Sequence, residues 1–234
     1  MEENLHLRRE RIYNITATEI AVLVGLNPYE SPASLIEKKR NPQPVVSNHV
    51  RRGKLKEPSV LEAFYLDMGM KTTRHFEGTL QLSDHRIAAT PDAYVKNEKN
   101  VVECKSVTSR NLEKWYDRIP DYYHLQVLTQ MLVVGSEVGY IGALEEGDPY
   151  ECEYRFVAWK VKRDERILEI LKQEVDRFWE LTDSDKLFRV RSSFKAEVRH
   201  LLGENAEMVF PLERPVPKEI SREEEFSKIL SLFQ

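Results

Sequence analysis

Asp92, Glu103 and Lys105 are the residues of this sequence whose types and spacing best suit chemistry. Asp92 follows Thr90-Pro91 within one extended stretch, and Glu103-Cys104-Lys105 lies in the next. Strand alternation puts Glu103 and Lys105 on one face, with Val102 and Cys104 on the other. If residues 86–95 and 101–107 pair, Asp92 lies beside Glu103, and two carboxylates and an ammonium meet. That trio suits phosphodiester hydrolysis. Adjacent carboxylates repel, and a hard divalent cation such as Mg²⁺ removes that cost and prefers oxygen ligands. The ion can polarise a phosphate, and the backbone carbonyl of Cys104 offers a further oxygen. Lys105 can position an attacking water or neutralise charge building on the phosphate.

Each of these residues also has a plainer explanation. A Glu/Lys pair on a strand is often a solvated face. Glu57 lies on the apolar face of its helix with Leu61, Phe64 and Met68, near the first turn. A nearby Lys or Arg would account for it without catalysis. Gln126 and Gln130 are i, i+4 neighbours, which as a solvent-facing stripe would be unremarkable. Arg11 and Thr18 flank and open the first helix, where amides favour an anion, or serve as a surface arginine and a cap.

The elements that must position these groups read as follows. Thr16 and Glu19 form a capping box before the apolar run 20–24, which Gly25 stops. Ser31-Pro32 opens a second helix through about Lys39, and residues 41–48 read as a loop. A third helix spans about 57–68. Residues 72–82, 86–95 and 101–107 read as strands, the last two as a hairpin across 96–100. A helix over 122–134, strands over 139–144 and 153–161, and an amphipathic helix over 164–181 complete the pattern. This order predicts an α/β fold in one mixed sheet flanked by helices, and one domain over 1–234. The less periodic segment 182–234 reads as a C-terminal extension.

The bulk properties bound the function. The 234 residues are enough for one good core; 41% are hydrophobic and 32% charged. A net charge of −4 argues against a protein that coats DNA over its whole surface, though not against a locally basic or metal-neutralised cleft. The two cysteines, Cys104 and Cys152, make no zinc or iron–sulfur pattern, which fits a reducing, cytoplasmic setting. No apolar run suggests a membrane span, and residues 1–13 lack the apolar core of a signal peptide.

Five blocks together resemble the lambda exonuclease/YqaJ-type viral recombinase family, a branch of the PD-(D/E)XK nucleases. They are Arg11 with ITATEIAVLVGLNPYESP, RGKLKEP around Glu57, TPDAYV around Asp92, VVECKSV around Glu103, and IPDYYHLQVLTQMLVVG around Gln126. They occur in family order over residues 11–135, and the likeness fades beyond. The resemblance implies a restriction-endonuclease-like core. It implies Asp92, Glu103 and the Cys104 carbonyl as ligands for Mg²⁺, two ions in all, with Mn²⁺ as substitute. Lys105 would be the catalytic lysine, Glu57 an accessory acid, and Gln126 a residue holding the geometry or touching substrate. Arg11, Thr18 and Thr90 would contact DNA.

The implied activity is 5′-to-3′ degradation of one strand of linear duplex DNA, leaving 3′ overhangs for a single-strand annealing protein. Some members form a ring-shaped homotrimer. The alternatives are another PD-(D/E)XK endonuclease and an inactive DNA- or partner-binding relative.

Overall fold

The structure is a computed structural model that describes residues 11–42, 48–75, 78–145 and 154–211. The chain runs through β1 (Ile15–Thr16), α1 (Ile20–Leu23), α2 (Pro32–Arg40), α3 (Asn48–Met68), β2 (Thr72–Arg74) and β3 (Leu80–Leu82). A 3₁₀ turn (Ser83–His85) leads to β4 (Ile87–Ala89), β5 (Ala93–Val95) and β6 (Val101–Val107). Then come α4 (Ser109–Trp115), α5 (Asp121–Val134), β7 (Val138–Glu145), β8 (Phe156–Lys162), α6 (Glu165–Asp183), α7 (Ser192–Leu202) and β9 (Ala206–Phe210).

Six strands form a mixed sheet in the order β2-β5-β6-β7-β8-β9. Only β6 and β7 run parallel, and α4 and α5 supply the crossover that a parallel pair requires. Period-two alternation along β6 divides the core. Val102 joins Ala93, Phe156 and Ala158 beneath Val60, Leu61 and Phe64 of α3. Val101 faces the other way, into a larger cluster with Leu125 and Leu128 of α5 and Leu171, Val175 and Phe178 of α6. The sheet is thus covered on both faces, as the alternating elements predict.

Two expected strands are each divided, and the expected single sheet is two. Residues 72–82 become β2 and β3, while 86–95 become β4 and β5. β1, β4 and β3 form a separate three-stranded sheet, with β1 parallel and β3 antiparallel to β4. The cause of the second break is Pro91. It has no N–H to donate to a ladder, so the chain leaves one sheet there and enters the other. The hairpin of β5 and β6 forms as expected, with Ala93 opposite Val102 and Tyr94 opposite Val101.

The third helix also differs. It begins at Asn48 and carries Pro58 in its interior, so Glu57 lies mid-helix and not near a first turn. Residues 51–55, just ahead of Glu57, are exposed and mostly polar, so they carry no apolar stripe. Of the loop expected over 41–48, residues 43–47 lie outside the described residues.

At the start of the chain, Glu19 Oε2 accepts from both the backbone N and Oγ1 of Thr16, each at 2.9 Å. Thr16 nevertheless belongs to β1, and Thr18 lies in the turn before the four-residue α1, not inside a helix. Ser31 caps α2 as expected, its Oγ accepting from Ser34 N at 3.2 Å.

Beyond residue 181 the chain adds α7 and then β9, which pairs with β8 at the sheet's edge. Residues 212–234 lie outside the described residues. No helix among the described residues is long and apolar enough to cross a membrane.

Candidate active site

The break at Pro91 places Asp92 between the two sheets. Its Oδ2 accepts from the backbone N of Cys104 at 2.8 Å, and its carbonyl accepts from His75 N at 3.1 Å. The carboxylate is therefore tied to β6, one residue from Glu103. The structure brings Asp92, Glu103 and Lys105 together as their spacing predicts.

Glu103 points from β6 into α5 and is only 3% exposed. Its Oε1 accepts from Gln126 Nε2 and from Lys105 Nζ, both at 2.5 Å. Its Oε2 accepts from Gln130 Nε2 at 2.5 Å. Lys105 Nζ also donates to Gln126 Oε1 at 3.0 Å and lies 4.5 Å from the centre of the Tyr123 ring. Gln126 and Gln130 are buried at 6% and 0% exposure, so they are not a solvent-facing stripe. Gln126 bridges acid and lysine. Gln130 is a support that the sequence pattern alone left as ordinary helix surface. The available signal was two amides four residues apart in a helix of otherwise apolar character.

Electrostatics mark the spot. Burial pushes the Asp92 carboxyl well above the usual range, and the charge of Glu103 pushes it the same way. For Lys105, burial alone would lower the pKa. The carboxylates of Glu103 and Asp92 outweigh it and hold the ammonium above its ordinary value. Burial likewise raises the Cys104 thiol, which keeps it protonated and inert as a nucleophile.

Glu57 stands at the margin. Its Oε1 receives Arg74 Nη2 at 2.6 Å and Nε at 3.2 Å. Arg74 is a partner that sequence reading missed, because it sits on a three-residue strand with no motif. It lies opposite Ala93 in the β2–β5 ladder, next to Asp92. The charge of Glu57 still adds to the upward push on Asp92.

The remaining expected residues lie at the strand break and in or beside the smaller sheet. Thr90 is exposed at the strand break, with Oγ1 3.3 Å from Thr79 Oγ1. Thr18 Oγ1 is 3.0 Å from Thr16 Oγ1, beside β4 in the smaller sheet. Arg11 is exposed, and its carbonyl accepts from the buried Lys39 Nζ at 2.6 Å. Lys39 also bonds Asn14 O and Glu19 Oε2, so it fixes this corner of the fold.

The donor set fits a hard divalent cation on one observation: the buried Glu103 carboxylate and the half-buried Asp92 carboxylate repel each other, and the backbone carbonyl of Cys104 follows Glu103 directly in the chain. Among the described residues no three His, Cys, Asp or Glu side chains converge as a ready-made metal cluster. The reason is visible, since Glu103 is drawn into α5 and Glu57 toward Arg74. One acceptor position remains on Glu103 Oε2, because each carboxylate oxygen has two and Gln130 takes one.

The family model for the YqaJ-like viral recombinase domain matches residues 3–137, more than half of the chain. This protein belongs to that family. Over 177 residues it is 28% identical to the uncharacterized protein YqaJ of Bacillus subtilis (strain 168), covering 73% of this chain and 53% of that protein. The chain therefore spans about half the length of the curated relative it matches.

Among solved structures, the alkaline exonuclease LHK-Exo of Laribacter hongkongensis superposes with a TM-score of 0.60 at 18% identity, covering 84% of this chain and 95% of that one. Its complex with dAMP gives 0.61 at 19% identity, with the same coverage. A phage related exonuclease from Haemophilus somnus 129PT gives 0.54 at 12%, covering 75% and 97%. At these identities the likeness is one of fold, and it is the restriction-endonuclease-like α/β core expected of this YqaJ-family chain.

Proposed function

We propose that this protein is a metal-dependent exodeoxyribonuclease. It degrades one strand of linear double-stranded DNA from the 5′ end and leaves 3′ overhangs for recombination. The observation that carries the reading is the convergence of Asp92, held by the Cys104 backbone N–H, with Glu103 and Lys105, which bond each other and are bridged by Gln126. A structural ion pair would explain Glu103 with Lys105. It does not explain a second desolvated carboxylate placed against them. Membership of the YqaJ-like family and the fold shared with two exonucleases support the same reading.

Asp92 and Glu103, with the Cys104 carbonyl, would hold Mg²⁺, two ions in all, and Mn²⁺ would substitute. When bound, that metal supplies positive charge at the scissile phosphate and neutralises the carboxylate pair. The chain's own groups do the rest. Lys105 spends two of its three N–H donors on Glu103 and Gln126, leaving one for the attacking water or a phosphate oxygen. Gln126 holds Lys105 and Glu103 in register, so the lysine keeps one position as charge builds on the phosphate. Glu57 acts as an accessory acid at the margin. Arg11, Thr18 and Thr90 lie toward the smaller sheet and would contact the DNA backbone. A single-strand annealing protein and a homotrimer complete the family expectation, and the reaction takes place in the cytoplasm of a bacterial host.

The test is digestion of linear duplex DNA labelled at the 5′ or the 3′ end, with Mg²⁺ or with EDTA, beside supercoiled circles. Early release of the 5′ label as mononucleotide, with Mg²⁺ only and with circles intact, is expected. Nicked circles would point to an endonuclease. Absence of cleavage with both Mg²⁺ and Mn²⁺ would leave a DNA- or partner-binding module.

A further inference from the structure

Three aromatic rings run from solvent to Lys105, and a fourth lies beyond them. Trp115, buried at the end of α4, anchors the inner end, with Tyr123 at 5.7 Å between ring centres. Tyr122 lies 4.2 Å from Tyr123. Tyr29 meets Tyr122 edge-on at 5.5 Å and 86°, with the hydroxyl oxygens 3.5 Å apart. The Lys105 ammonium rests over the Tyr123 ring. The outer ring, Tyr29, is 80% exposed.

Packing accounts for the inner rings and not for the outer one. Tyr29 is held in place without being covered. Asn27 Oδ1 accepts from the backbone N of Tyr29 at 2.8 Å and of Glu30 at 3.1 Å, which fixes the turn that presents the ring. A rigid aromatic face in water, joined by contacts to a catalytic lysine, is the form of a base-stacking platform. Lys114, exposed on the segment just before Tyr122, supplies positive charge for the backbone of the same strand, and Arg118 nearby is ion-paired with Asp121. Burial, with the hydroxyls of Tyr29 and Tyr123, pushes the Tyr122 hydroxyl far above its ordinary range, so it remains a neutral donor beside phosphates.

We propose that Tyr29 and Tyr122 form a stacking subsite for an unpaired nucleobase of the substrate DNA. Two ring steps separate Tyr29 from the ring beneath Lys105. That places the base on the order of two to three nucleotides from the reacting phosphodiester, at about 3.4 Å per nucleotide along a strand. Stacking is blind to base identity, which suits an enzyme that must accept every sequence it meets. The subsite rests on the nuclease reading for its role, and it is tested separately from it.

The experiment measures binding of linear DNA with a frayed end in EDTA, so that cleavage plays no part. A single abasic residue is walked one nucleotide at a time along the terminal segment of either strand. The wild-type protein should bind roughly tenfold more weakly when the abasic residue falls at one position near the end. Tyr29→Ala should bind intact DNA roughly tenfold more weakly and show no further loss at that position. Tyr29→Phe, which keeps the ring and loses the hydroxyl, should behave as wild type. Tyr29→Leu, with bulk and no π-face, should behave as the alanine variant.

A flat abasic profile for wild type, or a Tyr29→Ala protein that keeps the sensitivity, overturns the subsite and leaves the nuclease reading intact. The predicted profile in a protein that cleaves no linear DNA would sink the nuclease reading and keep the subsite. Absence of any DNA binding overturns the subsite as well.

Discussion

Glu103 is a buried acid held by side-chain donors from both β6 and α5. Three donors from Lys105, Gln126 and Gln130 converge on its two oxygens. Such bonds to an ionised group contribute about 1.5–3 kcal/mol each, so removing one should be felt in stability as well as in catalysis. Gln130→Leu is expected to lose about 2 kcal/mol in urea unfolding, with reduced turnover. Unchanged stability would mean that the Gln130 amide does not reach Glu103 in solution. Lys105→Ala should abolish cleavage while DNA binding survives. Near-normal turnover in that variant would remove Lys105 from the catalytic role. The contrast between the two substitutions separates a group that supports the acid from one that acts on substrate.

At the scale of elements, the site depends on β6 being clamped between α3 and α5. Gly142 on β7 pairs with Cys104 and sits under α3. A Cβ there would come within 2.6 Å of the rings of both Phe64 and Phe156. Neither ring has room to move, since they pack against each other at 5.0 Å. Gly142→Ala should therefore cost about 1–3 kcal/mol and, by shifting β6, reduce activity beyond the loss in folded fraction. Chemical unfolding together with activity per folded molecule reads both effects. A fully active, equally stable variant would show that α3 does not set the position of β6. Pro91 works at this scale too. Its missing N–H ends one ladder and delivers Asp92 to the next sheet, which a continuous strand could not do.

At the scale of the whole molecule, the repelling acids make the metal-free protein less stable than its core allows. Mg²⁺ should raise Tm, by about 2.7 kcal/mol of stabilisation at a concentration 100 times Kd. Asp92→Asn should melt higher than wild type in EDTA and gain nothing from Mg²⁺. An Mg²⁺ shift of wild-type size in that variant would exclude Asp92 as a ligand. Acid should act through a different residue. Burial, with the charge of Arg118, depresses His124 from 6.5 to about 3. Below 6.5 the unfolded chain takes up a proton that the folded protein refuses. The contribution of His124 is thus complete above pH 6.5 and declines as pH falls toward 3. His124→Gln should flatten the stability profile between pH 7 and 5, where one proton corresponds to about 1.4 kcal/mol per unit. An unchanged slope would assign the acid sensitivity elsewhere.

The chemistry of the centre was legible in sequence because it is local. Alternation along one strand puts Glu103 and Lys105 on one face, and a hairpin brings Asp92 alongside. The Ser31 cap of α2 and the amphipathic α6 were legible for the same reason, since capping and period act over a few residues. What depended on contacts between distant segments was not. The division of 72–82 and 86–95 between two sheets follows from which ladders the strands join, and a strand's pattern does not name its partner. Residues 51–55 before Glu57 are exposed and so left no period to read. Gln130 and Arg74 look like ordinary polar residues until α5 and β2 are folded against β6 and α3. The sequence by itself determined which groups could do the chemistry. Only the tertiary structure decided which of them are buried, because burial depends on what packs on top, and it is burial that raises the cost of ionising Asp92 beside Glu103.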